Sequence, residues 1–247
     1  YTTFEQTLKS INVDKGAKTV TAVVNVKNTG TLDGKDAVQL YASVPYTGYD
    51  KENKIEKSAI QLLDYGKVDV PAGQNKDVTI TADLSDLTSY DSKGAGTYIL
   101  DEGKYYFTVG NGAHEAVNNV LAYLGKKTAD GMDGEGKAAN VKEWNHSSRD
   151  TATFSVSKNG TPIRNQLDNA DLNYYMKDKV TYLSRENWDS TFPARFRLEA
   201  NEAMIKELRN KTVEVSQDDR VSTKWGIDHE ITLGAMKGVG FDDPRWK

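Results

Sequence analysis

The sequence contains no cysteine, which excludes a disulfide scaffold, a thiolate metal site and a cysteine nucleophile. No run approaches the roughly 18 apolar residues of a membrane span, so a membrane partner is not expected. The charges nearly balance, with 32 basic and 36 acidic residues and a formal net charge of −4. Because no basic stripe is available to neutralise phosphates, nucleic acid is not an expected partner either.

The sequence also lacks motifs that indicate catalysis. It has neither a Gly-x-Ser-x-Gly nucleophile elbow nor a phosphate-binding loop. Its three histidines, His114, His146 and His229, are far apart along the chain and none stands in an HExxH-type spacing, so they predict no metal site. The sequence therefore predicts no catalytic residue and no cofactor.

A glycine-rich stretch at residues 130–136 resembles a calcium loop in composition. An EF-hand requires oxygen ligands at its third and twelfth positions, which counted from Asp130 are Met132 and Val141. Neither side chain offers an oxygen atom. The stretch is therefore interpreted as a turn, and no metal is expected there.

Short alternating apolar runs, separated by turn residues, recur from residue 19 to residue 109. Every second residue from Val20 to Val26 is apolar, which is the period of a half-buried strand. The same alternation predicts strands at 37–44, 60–70 and 78–82, and a hairpin from Tyr98 to Val109 that turns at Gly103. Six or seven strands in roughly 100 residues predict a mainly β fold, an immunoglobulin-like or fibronectin type III-like β-sandwich.

Tyr105 stands two residues after Gly103, at the start of the last predicted strand. Two structural roles are open for it. It can act as a tyrosine corner, whose hydroxyl group bonds to the backbone a few residues upstream, or it can simply pack in the core.

The pattern becomes helical after Val109. Apolar residues recur at intervals of three and four from Ala116 to Leu124, and Gly125 stands where a helix commonly ends. These features predict one amphipathic helix. Residues 126–150, rich in Gly, Lys, Asp and Asn, predict a surface connection.

Residues 151–247 contain short apolar runs, at 154–156 and 180–183, but too few of them for a second core. A short helix is predicted from Asn201 to Arg209, with Asn201 as its N-cap. Three of its residues are predicted to be buried: Met204, Ile205 and Leu208. The predicted organisation is a β-sandwich at 1–112, a helix and surface linker at 113–150, and an extended, loop-rich connecting region at 151–247 that lies over a partner surface.

The segment at residues 44–57 is polar and predicts a long exposed loop, which is either a solvated connection or a functional loop on a rigid sandwich. Aromatic residues in and beyond it can stack on sugar rings, or they can be interface or minor core residues. These candidates are Tyr46, Tyr49, Trp144 and Trp188.

Residues 23–45, VVNVKNTGTLDGKDAVQLYASVP, resemble the fibronectin type III-like domain of glycoside hydrolase family 3 enzymes. In both, an apolar strand, an Asn-Thr-Gly turn and Val-Gln-Leu-Tyr follow in this order. Further blocks at 57–74, 83–91 and 100–115 resemble the next parts of that domain, so the resemblance covers about residues 1–120. The chain departs from the pattern at Asp64, where the family has Gly, and at Tyr65, where it has Phe.

Later segments, among them NQLDNADLNYY and KVTYLSRENWDSTFP, resemble the connecting region of β-glucosidase-like members with inverted domain order. In those members an α/β sandwich domain comes first, the fibronectin type III-like domain second and a TIM barrel last. The resemblance implies that this chain is an internal fragment without either catalytic domain. The nucleophile of the family is the Asp of a Ser-Asp-Trp motif, which is absent here, so no catalytic residue is carried over.

The resemblance also implies a function and partners. The chain would be a non-catalytic, interdomain piece of an enzyme that hydrolyses O-glycosyl bonds in carbohydrate metabolism, with the α/β sandwich domain and the TIM barrel as partners. Tyr46 and Tyr49 would shape substrate access, which places carbohydrate near this loop. The alternative is a free-standing carbohydrate-binding or adhesion module. No signal peptide is visible, which favours a cytoplasmic location.

Overall fold

Two antiparallel sheets enclose the main apolar core of the chain. The computed structural model describes residues 1–177, 179–186, 200–210, 236–240 and 242–244. The chain divides into two units, Tyr1–Phe192 and Pro193–Lys247, and both sheets lie in the first unit. Trp188 and His229, two residues singled out from the sequence, lie outside the described residues.

Five of the strands are 9 to 11 residues long, and the others are shorter. The strands are Phe4–Asp14 (β1), Thr19–Asn28 (β2), Gly34–Ser43 (β3), Gln61–Val70 (β4), Asn75–Asp83 (β5), Ser89–Asp91 (β6), Thr97–Ile99 (β7), Gly103–Gly110 (β8) and Val141–His146 (β9). The α-helices are Gly48–Glu52 (α1), Ala113–Tyr123 (α2), Leu172–Tyr175 (α3) and Glu202–Asn210 (α4). One sheet has the order β1-β2-β5 and the other β4-β3-β8-β9, while β6 and β7 form a separate pair.

The core lies between the two larger sheets and confirms the predicted alternation. On β2 every second side chain from Val20 to Val26 is fully buried, and on β3 the same holds from Val38 to Ala42. The core also contains Phe107 and Val109 of β8 and Ile80 of β5. The mainly β, fibronectin type III-like sandwich fold predicted from the sequence is therefore confirmed.

Strand β1 was not predicted, because a β-bulge hides its period. Its register against β2 shifts between Leu8 and Ser10. The core-facing apolar residues are consequently even-numbered before the bulge, at Phe4 and Leu8, and odd-numbered after it, at Ile11 and Val13. A search for strict alternation along the sequence does not detect such a strand.

The prediction of a surface connection at residues 126–150 is wrong for β9, which pairs with β8 and extends the four-stranded sheet. This edge strand has only two apolar side chains, Val141 and Trp144, so its composition resembles that of a loop. The predicted hairpin from Tyr98 to Val109 is also wrong. Strand β7 pairs with β6, whereas β8 pairs with β3 and β9.

Helix α2 is confirmed, and Gly125 follows its C-cap with a φ of 81°, as a glycine at that position often does. The helix lies on the outer face of β8, where Asn119 Nδ2 donates hydrogen bonds to Thr108 Oγ1 at 3.2 Å and to the Val109 carbonyl at 3.0 Å. A polar helix face is thus buried against the sheet because its amide groups find partners there.

Helix α4 belongs to the second unit and begins as predicted. The Oδ1 atom of Asn201 accepts a hydrogen bond from the Met204 backbone N–H at 2.9 Å, which is an N-cap bond. The predicted burial of Met204, Ile205 and Leu208 is wrong, since all three are exposed. Across the described part of the chain, no helix has the length and apolar content to span a membrane.

Candidate functional site

Residues 45–57, which lie between β3 and β4, are folded onto the sandwich, so the prediction of a long exposed loop at 44–57 is wrong. Helix α1 lies within this segment, and Asp50 of that helix is fully buried. The Oδ2 atom of Asp50 accepts hydrogen bonds from the backbone N–H of Thr47 at 2.5 Å and from the Thr47 hydroxyl at 2.9 Å. The segment is rich in charge, but part of this charge is paired inside the protein.

A buried ion triad anchors the end of this segment. Lys57 Nζ lies 2.5 Å from Asp50 Oδ1 and 2.6 Å from Asp101 Oδ2, and it donates a hydrogen bond to the Pro45 carbonyl at 3.0 Å. The three charged side chains are 3%, 0% and 2% exposed. Charges so far from water are tolerated only when they are paired and hydrogen-bonded. Lys57 therefore joins α1 to the turn that precedes β8.

Asp101 also receives two hydrogen bonds on its backbone carbonyl. Tyr105 Oη donates one at 3.0 Å, which confirms the tyrosine corner. His146 Nδ1 donates the other at 2.8 Å, and Lys15 Nζ lies 3.2 Å from His146 Nε2. Because an ammonium group can only donate, Nε2 is the acceptor and the His146 ring is the neutral tautomer with a proton on Nδ1.

Glycine is required at the start of β8 beside this carbonyl. Gly103 has a φ of 128°, and a Cβ atom there would lie 3.1 Å from Pro45 Cβ. A larger residue would therefore be strained and would also crowd the start of the 45–57 segment. The turn and the segment are fitted closely to each other.

Burial sets the electrostatics of the site. Loss of hydration raises the pKa of Asp101, with Lys57 opposing the shift and Asp50 adding to it. Burial also raises the pKa of Tyr105. Burial would raise the pKa of Asp91 as well, but hydrogen bonds from the Tyr49 hydroxyl and from backbone N–H groups outweigh it and lower that pKa.

The two predicted site residues, Tyr46 and Tyr49, are half-buried and do not present free rings. The guanidinium carbon of Arg149 lies 3.3 Å from the Tyr49 ring centroid, and Tyr49 Oη donates a hydrogen bond to Asp91 Oδ2 at 2.6 Å. Arg185 lies over the Tyr46 ring at 5.0 Å. Cations therefore already occupy a position over each ring that a sugar would otherwise take.

Other residues singled out from the sequence lie elsewhere. Trp144 is half-buried, packs against Tyr105 at 5.0 Å between ring centroids and stacks on His146 at 5.1 Å, which makes it a minor core residue. His114 Nδ1 lies 2.6 Å from Asp133 Oδ2 in the glycine-rich stretch. The described residues include no group of three or more acidic or histidine side chains that could hold a metal ion.

The sequence did not identify Lys57 and Asp101 as partners, since they are 44 residues apart and occur in no motif. Their ion pair fixes the backbone of the 45–57 segment against the turn before β8, and it has no chemical role in the folded chain. The triad is closed to solvent, so no substrate can reach these groups in the folded chain. What it supplies is a rigid base for the 45–57 segment.

Comparison with known proteins agrees with this fold. Residues 36–113 match the family model of the fibronectin type III-like domain. The sandwich therefore has a fibronectin type III-like fold. The match includes most of β3, all of β4 and β8 and the whole 45–57 segment, so the buried triad lies inside the matched Fn3-like region.

Several curated relatives align with part of the chain. Beta-glucosidase A of Butyrivibrio fibrisolvens is 33% identical over 103 residues, which are 40% of this chain and 12% of that protein. The beta-glucosidase of Kluyveromyces marxianus is 29% identical over 119 residues, 48% of this chain and 13% of that protein. The exo-alpha-(1->6)-L-arabinopyranosidase of Bifidobacterium breve is 26% identical over 144 residues, 58% of this chain and 17% of that protein.

The chain thus spans only a small part of the length of each of these relatives. Among solved structures, the beta-glucosidase of Kluyveromyces marxianus aligns with a TM-score of 0.43 at 24% identity, covering 60% of this chain and 14% of that one. The aligned region is again a minor part of a much longer protein.

Proposed function

We propose that this chain is a non-catalytic, structural part of a glycoside hydrolase family 3 enzyme of the β-glucosidase type. The whole enzyme would hydrolyse O-glycosyl bonds, with the Fn3-like domain lying between an α/β sandwich domain and a TIM barrel. The observation that carries the proposal is the Fn3-like match at residues 36–113, and it is supported by curated relatives that are named beta-glucosidases.

Exposed apolar side chains beyond the sandwich support a bracing role. The segment from Leu167 to Leu183 leaves several large apolar residues in contact with solvent. They are Leu167, Leu172, Tyr174, Tyr175, Met176, Tyr182 and Leu183. Such a concentration is typical of a surface that another protein domain covers. In the proposal, these residues pack against the neighbouring catalytic domains.

The buried triad supports a role for the 45–57 segment at the edge of a substrate path. Lys57 fixes the segment from within, so that Tyr46 and Tyr49 are held in defined positions. Functional loops are often mounted on a rigid scaffold in this manner. In the proposal, the segment shapes access of longer glycosides to an active site supplied by the barrel.

Two experiments test the proposal. The purified chain is assayed with an aryl β-glucoside, and no turnover is expected because the sequence lacks the Ser-Asp-Trp motif that carries the nucleophile of the family. Measurable turnover would falsify the non-catalytic assignment. The second experiment reads the gene on both sides of this segment, where a barrel with a Ser-Asp-Trp motif is expected downstream. A stop codon directly after Lys247 would instead favour the alternative, a free-standing carbohydrate-binding or adhesion module.

A further inference from the structure

Residues 184–186, which we call the strap, lie across the 45–57 segment. The Arg185 backbone N–H donates a hydrogen bond to Glu56 Oε2 at 2.9 Å, and the Arg185 guanidinium group lies over the Tyr46 ring at 5.0 Å from its centroid. A guanidinium group in this position is attracted by the electron-rich ring face. The strap thus covers one of the two tyrosine rings that the sequence singled out in this segment.

The contacts that close the strap are accessible to water. The Glu56 residue is exposed, although its carboxylate accepts the strap hydrogen bond. Lys51 Nζ lies 3.8 Å from Glu186 Oε1, and these two side chains are 43% and 44% exposed. Exposed ion pairs contribute little to stability, because water and salt screen the charges. Closure of the strap therefore depends on contacts that compete with solvent.

Two buried polar atoms oppose closure. Arg185 Nη1 and the Tyr46 hydroxyl oxygen are both buried, and neither has a hydrogen-bond partner within the described part of the chain. A buried polar group without a partner is costly, since it has lost its hydrogen bonds to water and gained none in return. Opening the strap would return Arg185 Nη1 to water and remove this cost.

The strap is also loosely packed. A cleft of about 510 Å³ lies between it and residues 56–59, with Arg185 among the lining groups. Tightly packed contacts leave few voids larger than a water molecule. Local opening in folded proteins occurs where buried apolar contacts are few and hydrogen bonds are exposed. The 45–57 segment is anchored by the buried Lys57 triad, so the strap is the part that moves.

We propose that the strap opens and closes over the Tyr46 ring in the folded chain, with Arg185 as the group that covers the ring. The closed form keeps this ring face from other molecules, and the open form makes it available. Lys51, whose Nζ lies 6.0 Å from the ring centroid, belongs to the segment and stays with it in both forms. The motion requires neither a barrel nor an attached partner, so it does not depend on the proposed supporting role.

The test follows the Tyr46 ring signals by NMR in the 247-residue chain with ¹³C-labelled tyrosine rings. Arg185→Ala removes the covering group and gives the signal positions of the uncovered ring. Glu56→Ala removes the acceptor of the strap hydrogen bond but leaves Arg185 and Tyr46 in place. The ratio of open to closed forms should then rise about three- to tenfold. The Tyr46 ring signals of Glu56→Ala should therefore move from their original positions toward those of Arg185→Ala.

Matched controls are available for both variants. Glu135→Ala and Arg164→Ala change exposed residues of the same types outside the strap, and both should leave the Tyr46 ring signals where the original chain has them. Amide signals of β2 report on the sandwich and should be the same in every variant.

Three results would overturn the proposal. The Tyr46 ring signals of Glu56→Ala could stay in place, or they could move in a direction unrelated to that of Arg185→Ala. Arg185→Ala could itself leave them unmoved, which would show that the guanidinium group does not cover the ring. Each of these results would leave the supporting role unaffected, because that role does not require the strap to move.

Discussion

Lys57 Nζ and Asp101 Oδ2 lie 2.6 Å apart in the interior of the Fn3-like domain, with both side chains almost completely shielded from water. Lys57 lies between β3 and β4, whereas Asp101 lies just before β8. Asp50 of α1 completes the triad. Removing one member of such a group leaves the others charged and unpaired, which is much more costly than losing an ion pair at the surface.

Lys57→Met should therefore lower the free energy of unfolding by about 3–5 kcal/mol, because it leaves two carboxylates buried without a cation. Urea denaturation measures this change. Lys104→Met is the matched control, since Lys104 also forms an ion pair, with Glu143 at 3.0 Å, but is 57% exposed. A loss for Lys57→Met no larger than that of the control would show that the triad is not a stabilising anchor.

Tyr105→Phe should cost about 1 kcal/mol, because the ring still packs in the core while the hydrogen bond to the Asp101 carbonyl is lost. The same carbonyl keeps its bond from His146, which limits the loss. Thermal or urea unfolding gives the value. Tyr65→Phe, at a ring that is 59% exposed, is the control and should be close to neutral. Unchanged stability of Tyr105→Phe would contradict the tyrosine corner.

The fall in the free energy of unfolding at acid pH should depend in part on Asp91. Its pKa is lowered in the folded chain, so its ionised form stabilises the fold. This stability is present above the ordinary pKa of Asp, near about 4, and is lost as the pH falls through the lower folded value. Asp91→Asn should make the free energy of unfolding, measured by urea denaturation at a series of pH values, depend less on pH in that range. Asp69→Asn, at a 73% exposed carboxylate, is the comparison, and identical acid limbs for Asp91→Asn and the original chain would contradict the assignment.

The 45–57 segment should matter for long substrates if the proposed supporting function holds. In the complete enzyme, replacing Tyr46 and Tyr49 together by Ala should change kcat/KM for longer glucosides by several-fold and leave kcat/KM for an aryl β-glucoside unchanged. The reason is that only a longer glycoside extends from the active site to the segment. Equal kcat/KM values for all substrates in variant and parent enzyme would remove the segment from the substrate path.

Local patterns in the sequence were enough to predict much of the sandwich. Strands β2 and β3 show uninterrupted alternation because one face of each is buried, and α2 shows helical spacing with a terminal glycine. The resemblance to a known family depends on the same segments. Strand β1 was missed because its bulge changes the phase of the alternation, and β9 was missed because an edge strand needs few apolar residues.

The amino-acid sequence by itself determined the class of fold and the absence of cysteine chemistry, because each depends on residue type and short-range spacing. For Tyr105 it left two roles open, and the hydrogen bond to the Asp101 carbonyl in the folded chain decided for the tyrosine corner. Only the tertiary structure decided that the polar 45–57 segment is anchored inside the protein. The pairing of Lys57 with Asp50 and Asp101 joins residues that no local pattern connects. Burial of a charge depends on whether a distant partner reaches it, and the fold alone determines that distance.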